Sequence, residues 1–341
     1  MAANTNRALT LREYPVGAPG PEHFDLVESP AAEPGDGEVL VRSIYLTVDP
    51  YMRGRLRPGP SYAEPQKIGK VMVGEVAGEV VASNADGVAV GDYVAAHIGW
   101  QTHGIADCRD LRKLDPAAAP ISTALGVLGM PGLTAYFGML EVLTPRAGDT
   151  LVVNAASGAV GSVVGQIGKI AGCRVVGVAG SDEKCDFIIR ELGFDAAINH
   201  RTTTDMSAAM RETCPDGIDC YFDNVGGPIS DAAFENMAMW ARVGICGQIA
   251  QYNDTEQAMG PRNLRHVLVK RATMRGLLVF DWQARYHEGL ARLTRWVQDG
   301  RIKYREDIVE GLENAPAAFA GLMEGKNFGK QLVRIGDDPT R

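Results

Sequence analysis

Six small residues, Ala156–Ser157–Gly158–Ala159–Val160–Gly161, separate an apolar run at Leu151–Val153 from a helical pattern with apolar positions at Val163, Val164, Ile167, Ile170 and Ala171. Side chains this small leave the N–H groups at a helix start open to an anion, and a pyrophosphate is the anion that such a turn seats. Gly158 lets the backbone approach the phosphates and Gly161 lets the helix pack closely. Ala156 stands where a G-x-G-x-x-G motif has its first glycine, so the weight lies in the context. A second apolar run, Arg174–Ala179, supplies that context by completing strand, turn, helix and strand.

The end of that second run decides which dinucleotide fits. A site for NAD places a carboxylate about 20 residues beyond the glycines to hold the ribose hydroxyls. Here the chain reads Ala179–Gly180–Ser181, which leaves room for a 2′-phosphate. Ser181 can donate a hydrogen bond, and Lys184 opens the next helix, where a phosphate also meets the helix N-terminus. His200 and Arg201, after a third strand at Ala196–Asn199, add positive charge, and an imidazole there makes phosphate affinity depend on pH near neutrality. NADPH is therefore the expected cofactor; Asp182, able to reach a ribose diol, keeps NAD open.

These residues need a scaffold of strands and helices, and the 341-residue chain is long enough for two domains. A net charge of −8 argues against nucleic acid or an anionic membrane as partner. The start, MAANTNRALTLREYP, has no apolar signal core, and no apolar run reaches the roughly 18 residues of a membrane span, so a cytoplasmic protein is expected. The six cysteines form no C-x-x-C pair and are expected to be reduced and mostly buried. His97 and His103 match no zinc spacing, and no metal site is expected. Arg53, Arg55 and Arg57 read as a solvated loop face.

Up to about residue 125 the chain is β-rich, with strands expected at Glu38–Ile44, Val71–Ala82 and Asp92–Ala96 between turns such as Pro34–Gly37 and Arg57–Pro60. Strands and helices alternate thereafter. Further strands at Asp219–Phe222, Val243–Cys246 and Met274–Phe280 bring the parallel set to six, the number a full dinucleotide fold requires. A helix is expected over Ala284–Asp299, and a last strand over Gln331–Ile335.

With these elements, VDPYMRGR (48–55), GMPGLTAYFG (129–138), NAASGAVGSVVGQIGK (154–169), GSDEK (180–184), YFDNVGG (221–227), CGQIAQYN (246–253), EGLENAPAAF (310–319) and GKNFGK (325–330) resemble the medium-chain dehydrogenase/reductase superfamily. The resemblance covers nearly the whole chain and is closest to its zinc-free group of prostaglandin, alkenal double-bond and curcumin reductases. It implies an α/β fold: a six-stranded doubly wound parallel (Rossmann) sheet over residues 126–312, beside a β-rich GroES-like barrel domain over 1–125 to which 313–341 return. It also implies a homodimer and NADPH-dependent reduction of the carbon–carbon double bond of α,β-unsaturated ketones or aldehydes. Zinc relatives carry Gly-His-Glu where this chain reads IGKVMVGEVAGE (68–79), without histidine.

Carried over by motif, Gly158, Ala159, Val160, Gly161 and Ser162 cradle the pyrophosphate, Lys184 grips the 2′-phosphate and Asn224 lines the cofactor site. Cys246, Gly247, Gln248, Ile249 and Tyr252 run beside the nicotinamide half, and Leu277, Leu278, Val279 and Asn327 complete the contacts. The family often has Asn-Tyr-Lys where this chain has Asn199–His200–Arg201, and an acidic and an aromatic residue where it has Thr102–His103–Gly104. Hydride addition to a conjugated carbonyl leaves charge on an enolate oxygen, which a neutral phenol can hydrogen-bond. Tyr252 is the expected donor, and Tyr51 is expected to position the carbonyl. Two other functions stay open: a quinone reductase of the same superfamily, and an NADPH-binding regulatory protein without turnover.

Overall fold

The computed structural model describes residues 5–59 and 61–340. Met1–Asn4 of the start and Pro60 of the expected Arg57–Pro60 turn lie outside the described residues. The chain divides into two compact units, one of residues 1–126, 306–327 and 331–341, the other of residues 127–305 and 328–330.

The first unit is antiparallel. β1 (Thr5–Leu11) pairs with β2 (Phe24–Pro30), and β3 (Glu38–Thr47) is the long central strand of a larger sheet. Helix α1 (Tyr51–Arg55) is followed by β4 (Val76–Ser83), β5 (Tyr93–Ala96), β6 (His103–Asp107) and β7 (Arg112–Leu114). β4 pairs along one side of β3, β5 and β7 extend the sheet, and β6 pairs with β3 over Glu38–Arg42. The core centres on fully buried Trp100, whose ring lies 5.5 Å from Phe24 and 6.0 Å from Phe319.

Two expectations change here. The run from Val71 is not one strand, because a methyl at Gly74 would lie 3.0 Å from the Trp100 ring; the chain passes over the indole and enters β4 only at Val76. Arg53 is not on a solvated face. It is buried and donates to the carbonyls of Gly17 at 2.7 Å and Leu56 at 3.5 Å.

The second unit opens with α2 (Met130–Phe137) and then alternates: β8 (Thr150–Asn154), α3 (Gly161–Ile170), β9 (Arg174–Ala179), α4 (Asp182–Arg190), β10 (Ala196–Asn199), α5 (Met206–Thr213), β11 (Ile218–Asp223), α6 (Gly227–Glu235), β12 (Met237–Ile245), α7 (Leu264–Lys270), β13 (Thr273–Gly276) and α8 (Tyr286–Gln298). All six strands are parallel, in the order β10-β9-β8-β11-β12-β13. Leu151, Val152 and Val153 are fully buried, as a central strand covered on both faces requires. The order reverses between β8 and β11, which opens a crevice at their carboxyl ends. β13 stops at Gly276, short of the expected Phe280; the next residues turn into a 3-10 helix, Val279–Arg285, that buries Val279 and Trp282. β12 ends at Ile245, leaving Cys246 in the loop beyond.

The chain returns to the first unit with β14 (Glu306–Glu310), α9 (Ala315–Met323) and β15 (Lys330–Arg334), the last pairing with β3. All six thiols are unpaired; Cys173, Cys214 and Cys220 are buried, and the other three only partly so. Among the described residues no helix is long and apolar enough to cross a membrane.

Candidate functional site

The small-residue turn follows β8 directly. Its left-handed residue is Ala155, at φ 46°, one place before the position where the motif lacks its glycine. Ala156 needs no such freedom; its methyl packs over Gly177 of β9, where an added methyl would lie 2.8 Å away. Gly161 has no alternative either, since a methyl there would lie 2.4 Å from the Ala155 carbonyl oxygen. Gly158 is looser, its methyl meeting only that same oxygen, at 3.1 Å. The Ser162 N–H donates to the Gly158 carbonyl at 3.1 Å. The amides of Ala159, Val160 and Gly161 stand at the start of α3, where no carbonyl lies one turn back inside the helix. This cradle can take a phosphate.

A second anion site forms at the end of β9. Ser181 caps α4, its hydroxyl oxygen accepting the Lys184 N–H at 3.2 Å, and its own proton remains available to donate. A methyl on Gly180 would lie 3.1 Å from His200 Nε2 and 3.5 Å from Arg201 Nε, so both side chains flank the strand end. Burial, then Arg201 and Lys184, lower the His200 proton affinity. Asp182 turns to Asn199, whose side-chain amide donates to it at 2.7 Å. His200 and Arg201 thus flank Gly180, with Ser181 next in the chain and Lys184 close enough to act on His200, a charge pattern suited to a phosphate dianion.

At the crevice, a buried polar network fixes the ends of β8 and β11. The Asn154 amide donates to Tyr221 Oη at 2.6 Å and to Asp223 Oδ1 at 2.7 Å. Asp223 also accepts from Val225 N, Gly226 N and the Ser230 hydroxyl, at 3.0, 2.9 and 2.6 Å. Four donors satisfy this buried carboxylate. Asn224 is bound at both ends to Asn154, at 2.6 and 3.0 Å, which sets it between the two strand ends. Sequence reasoning missed Asn154 and Asp223; the signal was a polar residue closing each apolar run.

Beyond β12 and β13 lies a cavity of about 420 Å³. It is lined by Cys246, Gly247, Gln248, Tyr252, Leu277 and Leu278, six of the residues assigned to the nicotinamide half by motif, together with Ile245, Gly276 and Asp281. Ile249 and Val279 are not in the lining; Val279 is turned into the core. The Gln248 N–H donates to the Tyr252 phenol oxygen at 3.3 Å, folding the ring back over its own loop. Burial, with Asp223 behind it, pushes the Cys246 thiol up to about 12, so it stays protonated. Tyr51 and Asn327 belong to the first unit. Tyr51 opens α1, and burial, then Asp49 and Glu75, raise its phenol above the usual value.

A family model described as the N-terminal domain of oxidoreductase matches residues 7–114, and one described as zinc-binding dehydrogenase matches residues 159–295. The NADPH-dependent curcumin reductase of Escherichia coli is 47% identical over 98% of this chain and 98% of its own. The chain belongs to the medium-chain dehydrogenase/reductase family. Prostaglandin reductase 1 of Bos taurus is 43% identical, over 96% of this chain and 98% of its own. The crystal structure of CurA in complex with NADPH from Vibrio vulnificus is 48% identical, covering 97% of this chain and all of that one, with a TM-score of 0.93. Among the described residues of this family member, no three or more His, Cys, Asp or Glu side chains are grouped to hold a metal ion.

Proposed function

We propose that this enzyme reduces the carbon–carbon double bond of α,β-unsaturated ketones or aldehydes with NADPH. One observation carries the reading: a single parallel sheet presents a cationic strand end without a ribose-binding carboxylate, a glycine cradle and a tyrosine-lined cavity, all at its carboxyl edge. The near-full-length likeness to an NADPH-dependent curcumin reductase supports it.

The residues present fit the cofactor. Gly158, Ala159, Val160, Gly161 and Ser162 would hold the pyrophosphate, and Ser181, Lys184, His200 and Arg201 the 2′-phosphate. Asn224, the segment Cys246 to Gln248, Leu277, Leu278 and Asn327 would hold the nicotinamide half; Ile249 and Val279, away from the cavity lining, leave that set. NADPH supplies the hydride. As the substrate β-carbon gains it, the π pair moves to the carbonyl oxygen, and the Tyr252 hydroxyl donates a hydrogen bond to the enolate that results. A proton from solvent water then adds to the α-carbon, and the enolate oxygen returns its pair to restore the carbonyl. Tyr51, its phenol kept protonated, positions the carbonyl.

In this reading the first unit contributes Tyr51 to the substrate, and the second carries the dinucleotide-binding residues and the cavity. The protein works in the cytoplasm as a homodimer. Among the described residues β13 has a partner strand on one side only, and Met274, Leu268 and Trp240 are exposed near it, which supports pairing with a second copy there.

The test is NADPH consumption with a conjugated enone, a quinone and a saturated ketone. Turnover of the enone is expected. Consumption with the quinone alone would transfer the assignment to a quinone reductase, and tight NADPH binding without any turnover would favour a regulatory role.

A further inference from the structure

We propose that Asp281 makes the cavity select conjugated carbonyl compounds that are uncharged or that donate a hydrogen bond, and reject those carrying a carboxylate. The inference rests on the reductase reading and names its substrate class. Asp281 is the one charged side chain among the described residues that line the cavity, beside Ile245, Leu277 and Leu278. Its backbone N–H donates to the Leu278 carbonyl at 3.1 Å, and the next residue, Trp282, is buried, so the carboxylate is carried on an anchored turn.

The neighbouring cations are engaged elsewhere. Arg285 is held by Glu141 and Glu288, each at 2.9 Å. The Arg275 guanidinium lies 5.7 Å from the Trp282 ring centroid and donates to the Glu141 carbonyl at 3.4 Å. Among the described residues the Asp281 carboxylate takes part in no ion pair. The residue is exposed at the open side of the cavity, so its charge acts on an entering ligand partly through solvent and is screened by salt. Two unit charges ~7 Å apart repel by an amount that changes an equilibrium about threefold in water and about fiftyfold at the effective dielectric of a protein surface. A phenol or alcohol on the substrate instead finds a strong acceptor.

The experiment compares kcat/KM at neutral pH for three matched enones, bearing a distal carboxylate, its methyl ester or the corresponding alcohol. The wild-type enzyme should prefer the ester to the acid by about tenfold, less at high salt. Asp281→Asn should bring the ratio to within about twofold, and Asp281→Lys should reverse it, with KM for NADPH unchanged in the Asn variant. Equal wild-type turnover of acid and ester would overturn the proposal. So would an unaltered ratio in Asp281→Asn with a raised KM for NADPH, which would make Asp281 a cofactor contact. Failure of the wild type to reduce any of the three would strike the reductase reading itself and this inference with it.

Discussion

Replacing the two cradle glycines one at a time separates holding the turn together from holding a phosphate. In Gly161→Ala the new methyl lies 2.4 Å from the Ala155 carbonyl oxygen, 2.9 Å from its carbon and 3.0 Å from Ala156 Cα. All three are backbone atoms, and Ala155 already sits at φ 46° with little freedom to yield. Overpacking of this kind costs about 1–3 kcal/mol. Better helix propensity at the start of α3 returns at most ~1 kcal/mol. A net loss of about 1–2 kcal/mol lowers the melting temperature by about 2–6 °C in a unit of this size. In Gly158→Ala the single contact is 3.1 Å, and the remaining space is open. Stability should hold to within about 0.5 kcal/mol. The methyl nevertheless occupies ground that the phosphates need, and NADPH affinity should fall about tenfold, or ~1.4 kcal/mol. Calorimetric titration with NADPH and thermal melts of both variants read the two effects independently. If Gly158→Ala bound NADPH like the wild type, the phosphates would not lie over this turn; if Gly161→Ala melted with the wild type, the packing argument would fail.

Three further outcomes are expected. Ala155→Gly should stabilise the protein by about 0.5–1 kcal/mol, because glycine adopts positive φ without the penalty alanine meets; a lower denaturant midpoint would contradict this. Tyr252→Phe should reduce kcat on an enone by about a hundredfold or more while leaving NADPH affinity near that of the wild type, measured by steady-state kinetics and titration. For His200, burial and two cations lower the proton affinity in the protein alone, and a 2′-phosphate beside it raises it again. Between those two values binding takes up a proton, so NADPH affinity should fall as pH rises, by up to about tenfold per pH unit. His200→Gln should flatten the slope, and NADH should show none.

The parallel sheet was legible because Leu151–Val153 and Val175–Ala179 are apolar on both faces and each leads into a turn of small residues. Arg174–Ala179 and Ala196–Asn199 have the observed bounds, each closed by a polar or glycine residue. The first unit was harder to read. β1 and β2 form a two-stranded ladder whose outer strand is mostly exposed from Leu26 onward, so it offers no apolar alternation to detect. Run length misled twice. Val71–Ala82 and Met274–Phe280 each read as one strand, yet the first must step over Trp100 and the second must turn so that Val279 and Trp282 reach the core. Asp281 escaped notice for the same reason, since only that turn carries it back to the cavity. The residues proposed for the 2′-phosphate could be grouped without long-range packing: Ser181, Lys184, His200 and Arg201 follow successive strand ends, and adjacent parallel strands bring such ends together.

The central claim is delivery of hydride to carbon rather than to a carbonyl or a quinone. It is tested most directly by turning over a conjugated enone with NADPH carrying deuterium at nicotinamide C-4 and locating the label in the product by NMR. The saturated ketone with deuterium on its β-carbon is the result this account predicts. Deuterium on a carbinol carbon, or an enone recovered unchanged while NADPH is bound, would contradict it.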